Sequence, residues 1–199
     1  MKYNILIGGY AGQGMDTLGI LLEKILKRQG YHVFSNKDYM SRIRGGHNFT
    51  QIRFGTQPVW GHDPRLDVII ALDQNTIDIH MERLGEGGVL LCDQDMGSPD
   101  KRVIQLPMKD IAKEIGNPRV MGSVAIGALI KILGISLDRV EEVFGERFEK
   151  ETMDSNLRAF KQGYGQVEKH FEAQGAGEDN HILLNTNQAI ALGALAGGV

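Results

Sequence analysis

Short apolar runs alternate with segments of helical period along the first half of the chain. Tyr3–Ile7 reads as a buried strand. Residues 15–29 carry Leu18, Leu21, Leu22, Ile25 and Leu26 on one face of a helix, and Gly30 stands where a helix-ending glycine is expected. Tyr31–Phe34 predicts a second strand and Ser35–Gly46 a polar loop. His47–Phe54 alternates as a strand, with Phe49, Gln51 and Arg53 on one face. Leu66–Leu72, "LDVIIAL", is a continuous apolar run, the pattern of a central strand buried on both faces. Asn75 offers a helix cap with Asp78 three residues on, and the helix is expected to reach about Leu84. Gly85, Gly87 and Gly88 are expected to form a turn, followed by strands at Val89–Cys92 and Arg102–Leu106. Strands alternating with helices of this length imply a mostly parallel sheet with right-handed crossovers. The fold class expected is α/β, a Rossmann-like three-layer domain with helices on both faces.

The pattern changes after Pro118. Met121–Leu133, "MGSVAIGALIKIL", is apolar almost all round, so it predicts a helix that is buried or at an interface. Ser136 is expected to cap a short helix through Phe144, and residues 152–171 a more polar helix. Residues 174–180, "QGAGEDN", have linker composition. Residues 181–199 then begin a second apolar pattern.

Composition narrows the function classes. The 199 residues are 42% apolar and 24% charged, with a net charge of −3, as in an ordinary globular domain. The basic residues are scattered, which argues against a nucleic-acid footprint. No apolar run approaches the roughly 18–20 residues of a membrane span, and the first residues read straight into a strand. A cytoplasmic location is therefore expected. Cys92, the single cysteine, excludes an internal disulfide framework, a CxxC redox pair and a cysteine-ligated iron–sulfur cluster in this sequence. The histidines at 32, 47, 62, 80, 170 and 181 show no metal-ligand spacing, so no metal site is expected. His80 is expected to face solvent.

Candidate chemistry gathers in two glycine motifs. The first, "IGGYAGQGMDT" at residues 7–17, places a glycine turn between a strand and a helix start. That arrangement offers unpaired N–H groups and a positive helix end to an anion. It is not a P-loop: Met15-Asp16 stand where the lysine and hydroxyl residue belong. As a dinucleotide fingerprint it lacks the third glycine. Ser35 and Asn36 also stand where an acid should hold the ribose, and Asp16 would repel a pyrophosphate. A tight turn with close packing is the plain alternative. The second motif, "YMSRIRGGHNFTQIRFG" at residues 39–55, puts Arg42 and Arg44 before Gly45-Gly46 at the head of a strand. Such a loop brings a cation and accessible backbone to a phosphate or carboxylate. A surface turn with arginines paired to local acids reads equally from spacing.

Together the motifs resemble the gamma subunit, or gamma domain, of the 2-oxoacid:ferredoxin oxidoreductases. The resemblance rests on Gly8–Gly14, on Arg44-Gly45-Gly46 and on Asp67–Asp73. "GGVLLCD" at 87–93, "NPRVMGSVAIGAL" at 117–129 and "ERFEKETMDSNLRAFKQGY" at 146–164 add to it. It covers about residues 3–172, and the order of the motifs carries it more than any one of them. Ala11 departs from a commoner glycine, and His47 from a commoner small residue. "RGGHN" looks most like gamma domains fused ahead of an alpha domain.

The resemblance implies an enzyme that oxidatively decarboxylates a 2-oxoacid to an acyl-CoA and reduces ferredoxin. Thiamine diphosphate, magnesium and the iron–sulfur clusters then belong to alpha and beta partner subunits. This chain has no thiamine motif and no cluster cysteines, so no residue is assigned as catalytic and the chain alone is expected to be inactive. Assembly, with coenzyme A as an added contact, is the role implied. The cofactor-binding candidates are Gly9, Gly12, Gln13, Gly14, Arg42, Arg44, Gly45, Gly46 and Asn48. The two loops are expected side by side at the C-terminal edge of the sheet. Ferredoxin would be reached through the complex, with no nucleic-acid or membrane partner, and a homodimer stays open. The organisation expected is a gamma domain at 1–173, a linker at 174–180, and at 181–199 the start of an alpha, thiamine-binding domain. Asn187–Gly193 looks like that domain's opening, with Gln188 in place of an acid. A helix folded back on this domain, or docked on a second copy, is the alternative. The rival functions are a stand-alone Rossmann-like nucleotide-binding module and an NAD-dependent dehydrogenase.

Overall fold

The computed structural model describes residues 1–10, 12–39, 46–175, 177 and 182–198. One six-stranded sheet organises them, in the order β2-β3-β1-β4-β5-β6. The strands are β1 (Lys2–Tyr10), β2 (His32–Tyr39), β3 (His47–Gly55), β4 (Leu66–Ala71), β5 (Leu84–Asp93) and β6 (Val103–Leu106). β1, β4, β5 and β6 are parallel neighbours, while β3 lies antiparallel between β1 and β2. β2 thus runs with the parallel set, and β3 is the one reversed strand. The mostly parallel α/β sheet expected from the alternation is present.

The two faces are unequally covered. Ile5, Ile7, Val68, Ile70, Val89 and Leu91 face a large core shared with α1 (Met15–Arg28), α3 (Met108–Ile115), α4 (Met121–Leu133), α5 (Val140–Arg147) and α6 (Lys150–Gly165). Leu6, Ile69, Leu90 and Cys92 face the other way, toward Ile77 of α2 (Gln74–His80). Residue alternation along central strands requires this division. Burial pushes the Cys92 thiol up to about 11, helped by the Asp93 and Asp95 carboxylates, so it is an inert core side chain.

Helix α4 is buried nearly all round, as its pattern predicts, with the aliphatic residues Val124 to Leu133 inaccessible. Its contact with α6 is backbone to backbone. A Cβ on Gly127 would stand 2.0 Å from Phe160 O, and one on Gly163 2.0 Å from Val124 O. These two glycines are what allows the approach.

Several boundaries differ from those expected, each for a local reason. β2 continues through Ser35–Tyr39, where polar residues suggest a loop. It is an edge strand paired only with β3, so those side chains need no burial. Helix α2 is capped by Asp73, whose carboxylate accepts from Thr76 N at 2.8 Å, and not by Asn75. A short 3-10 turn at Met81–Arg83 follows α2. Gly85, Gly87 and Gly88 lie inside β5 and form no turn; at Gly88 a Cβ would collide with Leu84. Ser136 accepts from Asp138 N in a turn, while α5 begins after Arg139 in a left-handed conformation. α6 covers Lys150–Gly165 only. The chain beyond it runs extended, with His170 N and Phe171 N donating to Ile132 O and Ala173 N to Leu133 O. It thereby satisfies carbonyls at the end of α4.

The last helix, α7 (Thr186–Gly197), is closed by an Asn185–Gln188 capping box and has no buried residue. Ile190, Leu192 and Leu195 are exposed on it.

Candidate functional site

The chain leaves β1 at Gly8-Gly9-Tyr10, turns through Gly12 (φ 97) and Gly14 (φ 84), and enters α1. Both φ values lie where a side chain is strained, which explains glycine at 12 and 14. Gly8 and Gly9 have a different cause. A Cβ on Gly8 would stand 2.5 Å from Thr76, and one on Gly9 2.4 Å from the Gln13 amide oxygen. That amide is a clasp: Oε1 accepts from Tyr10 N at 2.9 Å, and Nε2 donates to Leu72 O at 2.8 Å. Gln13 thereby ties the end of β1 to the end of β4 and fixes the turn.

The ends of β1 and β4 are where the topology switches. The helix after β1 covers one face, and the helix after β4 covers the other. Crevices at such points are the usual ligand sites of parallel sheets. Gly14 caps α1 with no side-chain bond, so the first N–H groups of that helix remain available. Asp16 does not oppose an anion in the way its position suggests. Lys37 Nζ (2.8 Å) and Tyr39 Oη (2.7 Å) hold its carboxylate toward β2, and together they keep its pKa below the ordinary value.

Beside the turn lies a cavity of about 500 Å³. Gly12, Gln13, Gly14 and Thr17 form one wall; Asn117, Arg119 and the start of α4 form the other. Leu18, Leu21, Met121 and Phe148 supply an apolar lining, and Ser123, Thr152 and Asn156 a polar one. Ser123 Oγ donates to Asn156 Oδ1 at 2.7 Å, and Asn156 Nδ2 donates to Thr152 O at 2.8 Å. Arg147 reaches Thr17 Oγ1 at 3.2 Å from outside. The cavity therefore combines helix-start donors, the Arg119 guanidinium and an apolar wall, a combination suited to an anion with an organic body.

Of the candidates drawn from sequence, Gly12, Gln13 and Gly14 line this cavity, while Gly9 packs beneath the turn. Asn48 pairs with Gly9 in the β1–β3 ladder, and its Nδ2 donates to Gly46 O at 3.4 Å. Arg42, Arg44 and Gly45, and with them the expected placement of the second loop beside the first, lie outside the described residues. The cavity wall from Asn117 to Asn156 was not legible in advance. Its polar members lie in two separate stretches, within the motifs at 117–129 and 146–164, and meet only when the chain folds.

A buried polar chain also escaped the sequence reading. His80 is 4% exposed, not solvent-facing. Its Nδ1 lies 3.0 Å from Arg83 Nη1, and its Nε2 lies 2.8 Å from His47 Nε2. Arg83 also donates to Gln51 Oε1 at 2.7 Å and to Pro64 O at 2.9 Å. A guanidinium only donates, so His80 Nδ1 accepts and its proton sits on Nε2. That proton goes to His47 Nε2, which places the His47 proton on Nδ1. Burial, then the His47 ring and the Arg83 guanidinium, pushes His80 down to about 4; burial also lowers His47. Both rings are neutral near pH 7. The His47 Nδ1–H and Asn48 Oδ1 are buried without a hydrogen-bond partner among the described residues.

Among the described residues no three His, Cys, Asp or Glu side chains gather to hold a metal ion. No helix among them is long and apolar enough to cross a membrane.

Fold and site define a Rossmann-like α/β domain with a glycine turn at its switch point. Residues 4–166 match the family described as pyruvate ferredoxin/flavodoxin oxidoreductase, and the chain belongs to that family. It is 29% identical over 181 residues to the 2-oxoglutarate synthase subunit KorC of Methanocaldococcus jannaschii, covering 82% of this chain and 93% of that one. A 2-oxoacid:ferredoxin oxidoreductase subunit alpha from Sulfolobus sp is 22% identical, matching 100% of this chain but 39% of its own length. The fold is that of the keto/oxoacid ferredoxin oxidoreductase gamma subunit from Geobacter sulfurreducens. That match has a TM-score of 0.75 and 25% identity, over 83% of this chain and 96% of that one. It is also the fold of part of the Magnetococcus marinus 2-oxoglutarate:ferredoxin oxidoreductase, solved with 2-oxoglutarate, coenzyme A and succinyl-CoA. That match has a TM-score of 0.88 and 24% identity, over 100% of this chain and 37% of that one.

Proposed function

We propose that the chain is the gamma component of a 2-oxoacid:ferredoxin oxidoreductase and contributes to assembly and to holding coenzyme A, without performing the redox chemistry. The family match over residues 4–166 carries the first part. The cavity beside Gly12–Gly14 carries the second. Its features fit the group: the start of α1 and Arg119 suit phosphate oxygens, and Leu18, Leu21, Met121 and Phe148 suit a nucleoside. Arg42 and Arg44 are further cations for the same anion. Thiamine diphosphate, magnesium and iron–sulfur clusters are assigned to alpha and beta components, because Cys92 is the only cysteine and is buried in the core.

Residues 181–199 are proposed to open a following alpha domain. The observation behind this is α7, a capped helix with exposed Ile190, Leu192 and Leu195 and no buried residue. The natural reading frame tests this: alpha-type sequence continuing beyond Val199 supports it, and a stop codon there contradicts it. A cytoplasmic location follows from the proposed ferredoxin partner.

The coenzyme A role is tested in the assembled enzyme. Arg119→Ala and Arg44→Ala are each expected to raise the KM for coenzyme A by about tenfold, the effect of losing one charge-assisted phosphate contact. The KM for the 2-oxoacid should stay the same. Unchanged coenzyme A dependence in both variants would remove coenzyme A from this domain and leave the assembly role.

A further inference from the structure

The loop between β3 and β4 carries Trp60, the only tryptophan of the chain, and leaves its indole 88% exposed. Trp60 shares a small cavity of about 170 Å³ with Pro58 and with Tyr31 and Val33 at the entry to β2. Ile182 and Leu183 complete the wall, and Ile182 is itself 80% exposed. Single exposed apolar side chains need no explanation, whereas a bare tryptophan grouped with a bare isoleucine marks a contact surface.

The C-terminal segment is tied to this same face. Tyr31 Oη donates to Gln174 O at 2.7 Å, which fixes the chain as it leaves the core of the domain. Ile182 and Leu183 then lie at the cavity that Tyr31 lines. Thr186, the first residue of α7, follows Leu183 within at most about 11 Å of extended chain. Helix α7 therefore starts close to Trp60.

The apolar pattern of α7 decides what covers it. Ile190 and Leu192 stand about 200° apart around the helix, so they lie on opposite sides of it. Both are exposed, as is Leu195. One flat surface, such as that of a second copy of this chain, can cover one of these sides and not both. A helix apolar on opposite sides belongs in the core of a domain. Elements in such a core pack at about 8–10 Å between axes, so the layer that encloses α7 reaches from its first turn to the Trp60 face. We propose that Trp60, together with Pro58 and Ile182, is the contact surface on which the domain enclosing α7 rests, and that this domain is the alpha domain. That identification rests on the proposed reading of residues 181–199.

Trp60 reports on its own cover. The test compares this chain with the product of the natural reading frame that carries the following domain, both labelled with fluorotryptophan. Trp60→Phe identifies the Trp60 fluorine resonance in each. A soluble gadolinium chelate is expected to broaden that resonance in this chain and to leave it sharp in the longer protein. Trp60→Asp is expected to leave the melting temperature of this chain within about 2 °C and to lower that of the longer protein by about 4 °C or more. Equal broadening in the two proteins, or a longer protein whose melting temperature ignores the substitution, would overturn the inference and leave the functional reading in place. Protection of Trp60 in this chain as its concentration rises would assign the face to a second copy, and would overturn the inference too. A reading frame that stops at Val199 would overturn it together with the reading of residues 181–199.

Discussion

At the residue scale, the His47–His80 pair makes stability depend on pH in a stated direction. The folded His80 titrates near 4, against about 6.5 in an unfolded chain. Between those values the unfolded state binds more protons, so stability falls as pH drops from 6.5 toward 4 and is fully present above 6.5. The shift is worth at most roughly 3 kcal/mol. Thermal melts from pH 7.5 to 4.5 should show that decline. In His80→Gln the decline should flatten, while the melting temperature at pH 7.5 drops because Arg83 and His47 lose a buried partner. A wild-type melting temperature independent of pH over this range would contradict the neutral-pair assignment. Gln13 makes a second residue-scale case. Gln13→Ala frees Tyr10 N and Leu72 O, and should cost about 1–2 kcal/mol in a denaturant titration even without any ligand. A loss of coenzyme A affinity with no loss of stability would make Gln13 a ligand contact and not a clasp.

At the element scale, the α4–α6 contact separates glycines that pack from glycines that do not. Gly127→Ala drives a methyl against Phe160 O and should destabilise by about 3 kcal/mol or more, above the usual range for an added methylene because the obstacle is backbone. Gly87→Ala meets nothing within 4 Å and should be close to neutral. Equal melting temperatures for the two variants would contradict the close approach. Helix α7 buries nothing, so removing residues 182–199 should leave the melting temperature of the rest within about 2 °C. A larger drop would mean that it packs on this domain. The same elements show what a linear pattern reveals. Leu66–Leu72 and Met121–Leu133 were legible because burial on all sides leaves an unbroken apolar run. The continuation of β2 through Tyr39 was not, because an edge strand is held by ladder bonds to β3 and not by its side chains. Helix ends moved where a cap came from two residues earlier, as Asp73 does for α2, or where α6 gave way to chain that closes off α4.

At the scale of the whole molecule, the glycine turn was legible as a site because strand, turn and helix start are contiguous in sequence. The opposite wall of the cavity was not. Arg119, Ser123 and Asn156 come together only when α4 and α6 pack through Gly127 and Gly163. The buried chain from Gln51 to His47 was hidden for a similar reason, since β3 and the α2 region meet only across the sheet. What the chain does in company is read by viologen reduction with a 2-oxoacid and coenzyme A, measured with this chain alone, with alpha and beta components alone, and with all three. Turnover is expected only when the chain is combined with its partners. Turnover by the chain alone, or full turnover by the partners without it, would rule out a gamma component that is needed by the complex and inactive by itself.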